Sequence, residues 1–531
     1  MLAPLNNKFD VYDHMEDHMV NYKFRNLPQE FLPEPQLKLV TGKATIKRII
    51  MQDDSVLLND HELTAFVDQV HSSARRLFAI CVYCDSPMAF LKAMLDNGLK
   101  DTSLPLGNRD DFGSLKQQRS LIQNFIAQQR RFNTAFFSEN SMEKLDDRMS
   151  NCFSIPIDHE ESAANWKGKG AFGEVWKVRI HPDQRSFSCG TNSENQFAMK
   201  VTQHEGREQN YHRAMAGLNH PHLVKCLSSF ILDTKYQMVY ELANCDLEGF
   251  MRDNPIASEK PELTASWLAQ QLAGLAGALQ VVHNPESPKS PNANNSLSVP
   301  STNPAKTGYI HDIKPENILV FTYGGNNNWL RLSDFSCAKV VDFIATVSGK
   351  RESYKTGRNP GTPTYRAPES DGATSRPYDM WSLGCVYLEL LVWFFEGYSA
   401  LQRFRASREG YVRPDGLIDE SFYHQTSDGV IQLREPVTTK INDLSRKCSG
   451  GLRDILNAIP SLLKIKPKER LDASKLMRIL RPLDTGVDPS VGTSKSPGGL
   501  GVSTFRSSNL PTHQDRSDFG GRIRVTRPND G

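Results

Sequence analysis

The sequence predicts an α+β protein, and three stretches carry that reading. Leu63, Phe66, Val67, Val70, Ala74, Leu77, Phe78 and Cys81 recur at the spacing of one helix face. Glu174 to Ile180, directly after a glycine-rich turn, alternates as a strand does. The apolar run Val386–Phe395 is interrupted by Glu389 and is about half of what a membrane span requires, so it reads as a buried helix.

Composition bounds the rest. The 531 residues carry 63 basic and 61 acidic side chains, a net charge of +2, which lacks the basic excess of a dedicated nucleic-acid binder. Nine cysteines are too sparse for a disulfide scaffold and suit a reducing compartment. The N-terminus shows no apolar segment behind a basic one, so no signal peptide is expected. Secreted, fibrous and membrane-spanning classes are set aside. The expected location is intracellular, cytoplasmic or nuclear.

Residues 1–160 read as a mostly helical region. Asn59 and Asp60 precede the first helix, Pro87 interrupts, and Asn97-Gly98 stops the second. A third is expected from Ser114, with Gln117 completing a capping box and Leu121, Ile122, Phe125 and Ile126 on its inner face. Cys81 and Cys84 form a lone CxxC with no second pair, which reads as core packing rather than metal or redox chemistry. Nothing in this region names a partner. Residues 284–307 contain five Pro, five Ser and five Asn among 24 and read as a low-complexity insertion within the following domain. That domain is expected over 161–483, and the Ser-, Gly- and Pro-rich tail 484–531 as disordered.

The chemistry begins at Gly168, Gly170 and Gly173, followed by Val175. Three glycines let backbone approach phosphate oxygens where side chains would collide. Because a strand-like run follows rather than a helix, the pattern suits a strand–turn–strand loop over a nucleotide. Phe197-Ala198-Met199-Lys200-Val201 adds an apolar strand with one lysine, suited to the α- and β-phosphates. Asp312-Ile313-Lys314-Pro315-Glu316-Asn317 supplies a carboxylate for a hydroxyl proton, a lysine for developing charge and an amide oxygen for a metal. Asp334, after the strand-like Trp329–Leu332, is placed to hold Mg²⁺. Phosphoryl transfer needs this combination of positioned nucleophile, metal clamp and cationic stabilisation.

With these motifs the chain resembles the eukaryotic protein kinase superfamily, serine/threonine type, over roughly Trp166 to Arg481. The wording of DIKPEN and SRPYDMWSLGCVYLELLVW is most similar to kinases of filamentous fungi. The resemblance implies two lobes: a small antiparallel β-sheet N-lobe and a mainly helical C-lobe, here with a helical N-terminal extension. It implies ATP and Mg²⁺ as cofactors, a protein substrate, Asp312 as catalytic base, and Asn317 and Asp334 as metal ligands. The hinge resembles Tyr240-Glu241-Leu242-Ala243, with adenine on backbone groups of Glu241 and Ala243 and Tyr240 as gatekeeper. Asp246 falls at a ribose-binding position, though a solvated loop acid reads as well. Gly361 to Glu369 resembles the substrate-docking loop and disfavours a small-molecule kinase. Within it Thr362, with Lys314, implies serine/threonine preference. Asp379 opens the central helix, and Arg470 is expected to pair with Glu369.

Three departures stand out. His311 replaces the arginine that meets a phosphorylated activation segment, so activity is expected to be independent of phosphorylation at Ser348, Ser353, Tyr354 or Thr356. Ile310 and Ser336 replace a histidine and a glycine without removing a reacting group. The acid that should orient Lys200 is Glu208 or Glu205, with Glu208 favoured, because the counted position holds Tyr211. A competing reading is therefore a weakly active or inactive pseudokinase, a nucleotide-binding scaffold. Glu248 is a further acid that could favour a basic substrate residue.

Overall fold

The computed structural model describes residues 5–145, 153–170, 173–188, 195–203, 218–232, 234–284, 306–324, 327–333, 339–342, 344–345, 351–352, 363–370, 375–410 and 419–480. Compact units span 1–490 and 491–531, and every described residue belongs to the first. The tail 484–531 and most of the insertion 284–307 lie outside the described residues.

The chain opens with α1 (Lys8–Asp17), a hairpin of β1 (Val20–Phe24) and β2 (Leu27–Phe31), then α2 (Glu34–Val40), α3 (Lys43–Met51), α4 (Asp60–Ser73), α5 (Arg75–Tyr83), α6 (Met88–Asp96) and α7 (Arg119–Gln128). The expected caps form: Asn59 Oδ1 accepts from the Glu62 amide at 2.9 Å while Glu62 accepts from the Asn59 amide at 3.0 Å. Gly98 ends α6 at φ +80°, in the left-handed region. The third helix differs from expectation. Residues Arg109–Gln117 form 3₁₀ turns, Gly113 sits at φ +57°, and the Ser114 hydroxyl bonds Asn97 Oδ1 rather than capping a helix. The continuous helix starts at Arg119. Cys81 and Cys84 are free thiols among the helices, and burial pushes both well above the usual thiol range, so neither is a ready nucleophile. Cys81, Phe78, Phe112 and Phe125 share one core.

A seven-stranded sheet follows, built from β3 (Met142–Lys144), β4 (Ile157–Asp158), β5 (Trp166–Gly170), β6 (Gly173–Ile180), β7 (Gln196–Gln203), β8 (Cys226–Leu232) and β9 (Lys235–Glu241). Its order is β3-β8-β9-β7-β6-β4, with β5 also on β6. Residues ahead of 160 thus add strands to it: β3 pairs parallel to β8, and β4 pairs antiparallel to the end of β6. Period-two alternation splits the sheet. One face sets Val178, Ile180, Phe197, Met199, Phe230 and Val239 against Phe24, Phe137, Phe153 and Ile155 from the N-terminal region. The other packs Met238 and Tyr240 on Phe321, Tyr323 and Trp329.

The second lobe is mainly helical. After β10 (Cys245–Asp246) come α8 (Leu247–Asp253) and α9 (Ala265–His283), then β11 (Lys306–Tyr309) and the hairpin of β12 (Ile318–Tyr323) and β13 (Asn327–Leu332). The remaining helices used below are α10 (Arg376–Glu396), α11 (Tyr398–Ala406), α12 (Glu435–Leu444), α13 (Gly450–Leu462) and α14 (Ala473–Leu480). From Tyr378 to Trp393 every residue of α10 is buried, as expected for a helix apolar all round. It centres the largest core. No helix among the described residues is long and apolar enough to cross a membrane.

Candidate active site

Glycines shape the turn between β5 and β6. Gly168 lies at φ +154° beside a bulge in the β5–β6 register, and Gly170 pairs with Gly173 across the turn. A Cβ on Gly173 would collide with the Val201 carbonyl, so this glycine lets β6 lie close on β7. Cross-strand register then gathers side chains on one face. Val175 opposes Lys200, which opposes Met238, and Ala198 opposes Tyr240. Phe197 and Met199, which alternate with them along β7, enter the opposite core. Val175, Ala198 and Lys200 therefore share the face turned away from the N-terminal region.

From the end of β9 the chain crosses to the second lobe. The Asn244 amide donates to the Val320 carbonyl at 2.9 Å, and Cys245 and Asp246 pair with Val320 and Leu319 on β12. The segment that links the lobes is thereby laced to the strand that leaves Asn317. Among the described residues nothing hydrogen-bonds the backbone of Ala243. The Glu241 carboxylate meets Arg331 at 2.7 Å. Asp246 caps α8, its Oδ1 accepting from the Gly249 amide at 2.7 Å.

Asp312, Lys314 and Asn317 form one cluster. Lys314 Nζ lies 3.0 Å from Asp312 Oδ2, and Asn317 Nδ2 donates to the same oxygen at 3.0 Å and to the Asp312 carbonyl at 2.9 Å. Ser333 fixes Asn317, its amide and hydroxyl both donating to the Asn317 carbonyl, at 2.9 and 2.8 Å. Asp379, fully buried, holds the other end of the loop: its carboxylate accepts from the Ile310 amide at 2.9 Å, the His311 amide at 2.7 Å and His283 at 2.9 Å. His311 sits at φ +71°, a conformation a side-chain-bearing residue adopts only when its surroundings impose it. Its ring, 1 % exposed, stacks on Tyr309 at 4.4 Å and lies against Tyr378 at 5.2 Å. Ile310 packs in the α10 core. Burial raises the Glu316 carboxyl above its ordinary range.

The expected Glu369–Arg470 pair is present as a two-pronged contact of 2.6 and 2.7 Å, with Arg470 also donating to the carbonyls of Lys464, Ile465 and Pro377. Glu248 is not open to a substrate. Arg405 grips both its oxygens at 2.9 and 2.8 Å and the Tyr398 hydroxyl donates to it at 2.8 Å. Burial alone would raise the Glu389 carboxyl, but Arg405 and Arg408 hold it below the usual range, and Tyr365 donates to it at 3.0 Å. Glu205, Glu208, Asp334, Ser336, Thr362 and the candidate acceptors Ser348, Ser353, Tyr354 and Thr356 lie outside the described residues. Among the described residues no group of three or more His, Cys, Asp or Glu could hold a metal ion. Asp379 and Arg331 were missed as site residues. The one available signal was a charged group inside an otherwise apolar element.

Two family descriptions match the chain, Protein kinase domain over residues 306–479 and Protein tyrosine and serine/threonine kinase over 164–287. Among curated relatives, Serine/threonine-protein kinase 36 of Pongo abelii is 30 % identical over 233 residues, 42 % of this chain and 14 % of that protein. Serine/threonine-protein kinase fused of Drosophila melanogaster is 29 % identical over 228 residues, 42 % of this chain and 23 % of its own length. EPD1-interacting receptor-like cytoplasmic serine/threonine-protein kinase 5A of Gossypium barbadense is 27 % identical over 347 residues, 62 % of this chain and 63 % of its own. The chain thus spans less than a quarter of the first two, and none of the three is fungal. Sheet, interlobe crossing, clamped loop and buried central helix follow one another in the order of the matched segments, and the chain has the two-lobed fold of a protein kinase domain.

Proposed function

We propose that this chain is a protein serine/threonine kinase that transfers the γ-phosphoryl of Mg-ATP to a protein hydroxyl. The observation that carries this is the Asp312 carboxylate, held by Lys314 and Asn317 at 3.0 Å each. Adenine would lie against Val175 and Ala198, with its edge on backbone groups of Glu241 and the uncommitted Ala243. Gly168, Gly170 and Gly173 would cover the phosphates, and Lys200 would meet them from the same face as Ala198. Asp246, with Oδ1 capping α8, would offer ribose its other oxygen. Bound Mg²⁺ supplies charge neutralisation between phosphates, and Asn317 and Asp334 would hold it. Asp312 accepts the proton of the acceptor hydroxyl, and Lys314 stabilises charge on the transferring group. Glu208 would orient Lys200, and Thr362 with Lys314 would favour serine or threonine.

The His311 ring, enclosed by Tyr309 and Tyr378, does not reach outward as an arginine could. This supports a segment that works without phosphorylation. Phosphatase-treated enzyme is expected to keep its activity, and loss of most of it would overturn this point. The main test is incubation with Mg-ATP and a generic protein acceptor. Asp312→Ala is expected to lower phosphate incorporation by about 10²–10⁴-fold, the contribution of a positioned general base. Equal incorporation by both proteins would favour the scaffold reading instead.

A further inference from the structure

Arg331 is the charged residue of β13, between Leu330 and Leu332. Those leucines enter the core around α10, so strand alternation sends Arg331 the other way, toward the aromatic cluster between the lobes. There it is 7 % exposed. A charge so buried is tolerated only when paired and hydrogen-bonded. Its Nη1 donates to Glu241 Oε2 at 2.7 Å, its Nε donates to the Pro221 carbonyl at 2.8 Å, and the guanidinium lies over Phe321 and Tyr323, 4.7 and 5.5 Å from the ring centres. The Tyr323 hydroxyl donates to the same carboxylate at 3.1 Å.

One guanidinium therefore joins the hinge end of β9, the loop ahead of β8 and the strand that runs on to Ser333. Ser333 holds the Asn317 carbonyl, and Asn317 holds Asp312. A buried ion pair is weak evidence for stability, because apolar replacements of similar volume are often neutral or better. Its value here is geometric. The fork meets a carboxylate on one side and a carbonyl on another, which only one arrangement of the segments satisfies.

We propose that Arg331 is a positioning residue: its pair with Glu241 fixes the hinge, and the adenine groove beside it, relative to the catalytic loop. This rests on the nucleotide-binding reading above. Nucleotide affinity then depends on a side chain placed behind Glu241 rather than against the nucleotide.

Arg331→Met alone leaves Glu241 buried without its cation and is expected to unfold more easily. The informative protein is the full chain carrying Arg331→Met with Glu241→Gln, which removes the charges together. Titration with a fluorescent trinitrophenyl-ATP in Mg²⁺, beside thermal melting, is expected to give about tenfold weaker binding, the equivalent of one charge-assisted hydrogen bond, at a wild-type melting temperature. Equal affinity in the double variant and the wild type overturns the inference alone. Absence of binding by the wild type overturns the nucleotide reading and the inference with it. A double variant that loses affinity only in step with its melting temperature makes Arg331 structural and also overturns the proposal.

Discussion

Protonating His159 would put a cation at 1 % exposure between the Phe24 and Trp176 rings, 5.6 and 5.2 Å away. Burial, helped by Arg25 and opposed by Asp158, lowers its pKa from 6.5 to about 4. The unfolded chain therefore binds the proton more readily than the folded one. Stability is complete above pH 6.5 and falls as the pH drops toward 4, by up to about 3 kcal/mol. His159→Phe is expected to flatten urea-unfolding stability across that window, and an unchanged pH slope would refute the assignment. Residues differ in how far the sequence discloses them. Asp312, Lys314 and Asn317 interact within one six-residue stretch, so their spacing alone suggests the cluster. Asp379 meets the His311 amide across 68 positions and Arg331 meets Glu241 across 90, separations that no local pattern encodes.

Elements follow the same division. The α10 helix was legible because its apolar run admits no exposed face. The β1–β2 hairpin was not, because its turn is Arg25-Asn26, both at positive φ, rather than the Asn-Gly that usually marks such turns. The 3₁₀ stretch before α7 was hidden by Gly113, whose φ is invisible in composition. Between elements, the Glu369–Arg470 pair ties the segment ending at Ser370 to the turn before α14, and Arg470 also lies over the Trp381 ring of α10 at 5.1 Å. Glu369→Gln leaves the fully buried guanidinium without its anion and is expected to cost about 3–5 kcal/mol in urea unfolding. A loss below ~1 kcal/mol would mean that the carbonyls of Lys464, Ile465 and Pro377 suffice to hold it.

At the scale of the whole molecule, the N-terminal region and the sheet share one core. Its hairpin and the segment after α7 bring Phe24, Phe137, Phe153, Ile155 and Ile157 to the sheet, and its strands β3 and β4 lengthen it. Truncation to residues 161–531 would expose Phe197, Met199, Phe230 and Val239, each worth about 1.5–3 kcal/mol of burial. That is comparable with the ~5–15 kcal/mol of a typical domain, so the shortened chain is expected to aggregate or melt without cooperativity, while the full chain keeps the sheet. A truncated chain with a sharp, wild-type-like transition would refute this. The parallel pairing of Met142–Lys144 with Ser229–Ile231 also has a temporal side. A ribosome makes β3 long before β8, so the edge strand must wait, unpaired, while the polypeptide between them is synthesised. Such a distant contact closes late, and the helices ahead of it, whose contacts are largely local, have time to assemble first. The order of synthesis thus makes the N-terminal region the template on which the sheet is completed.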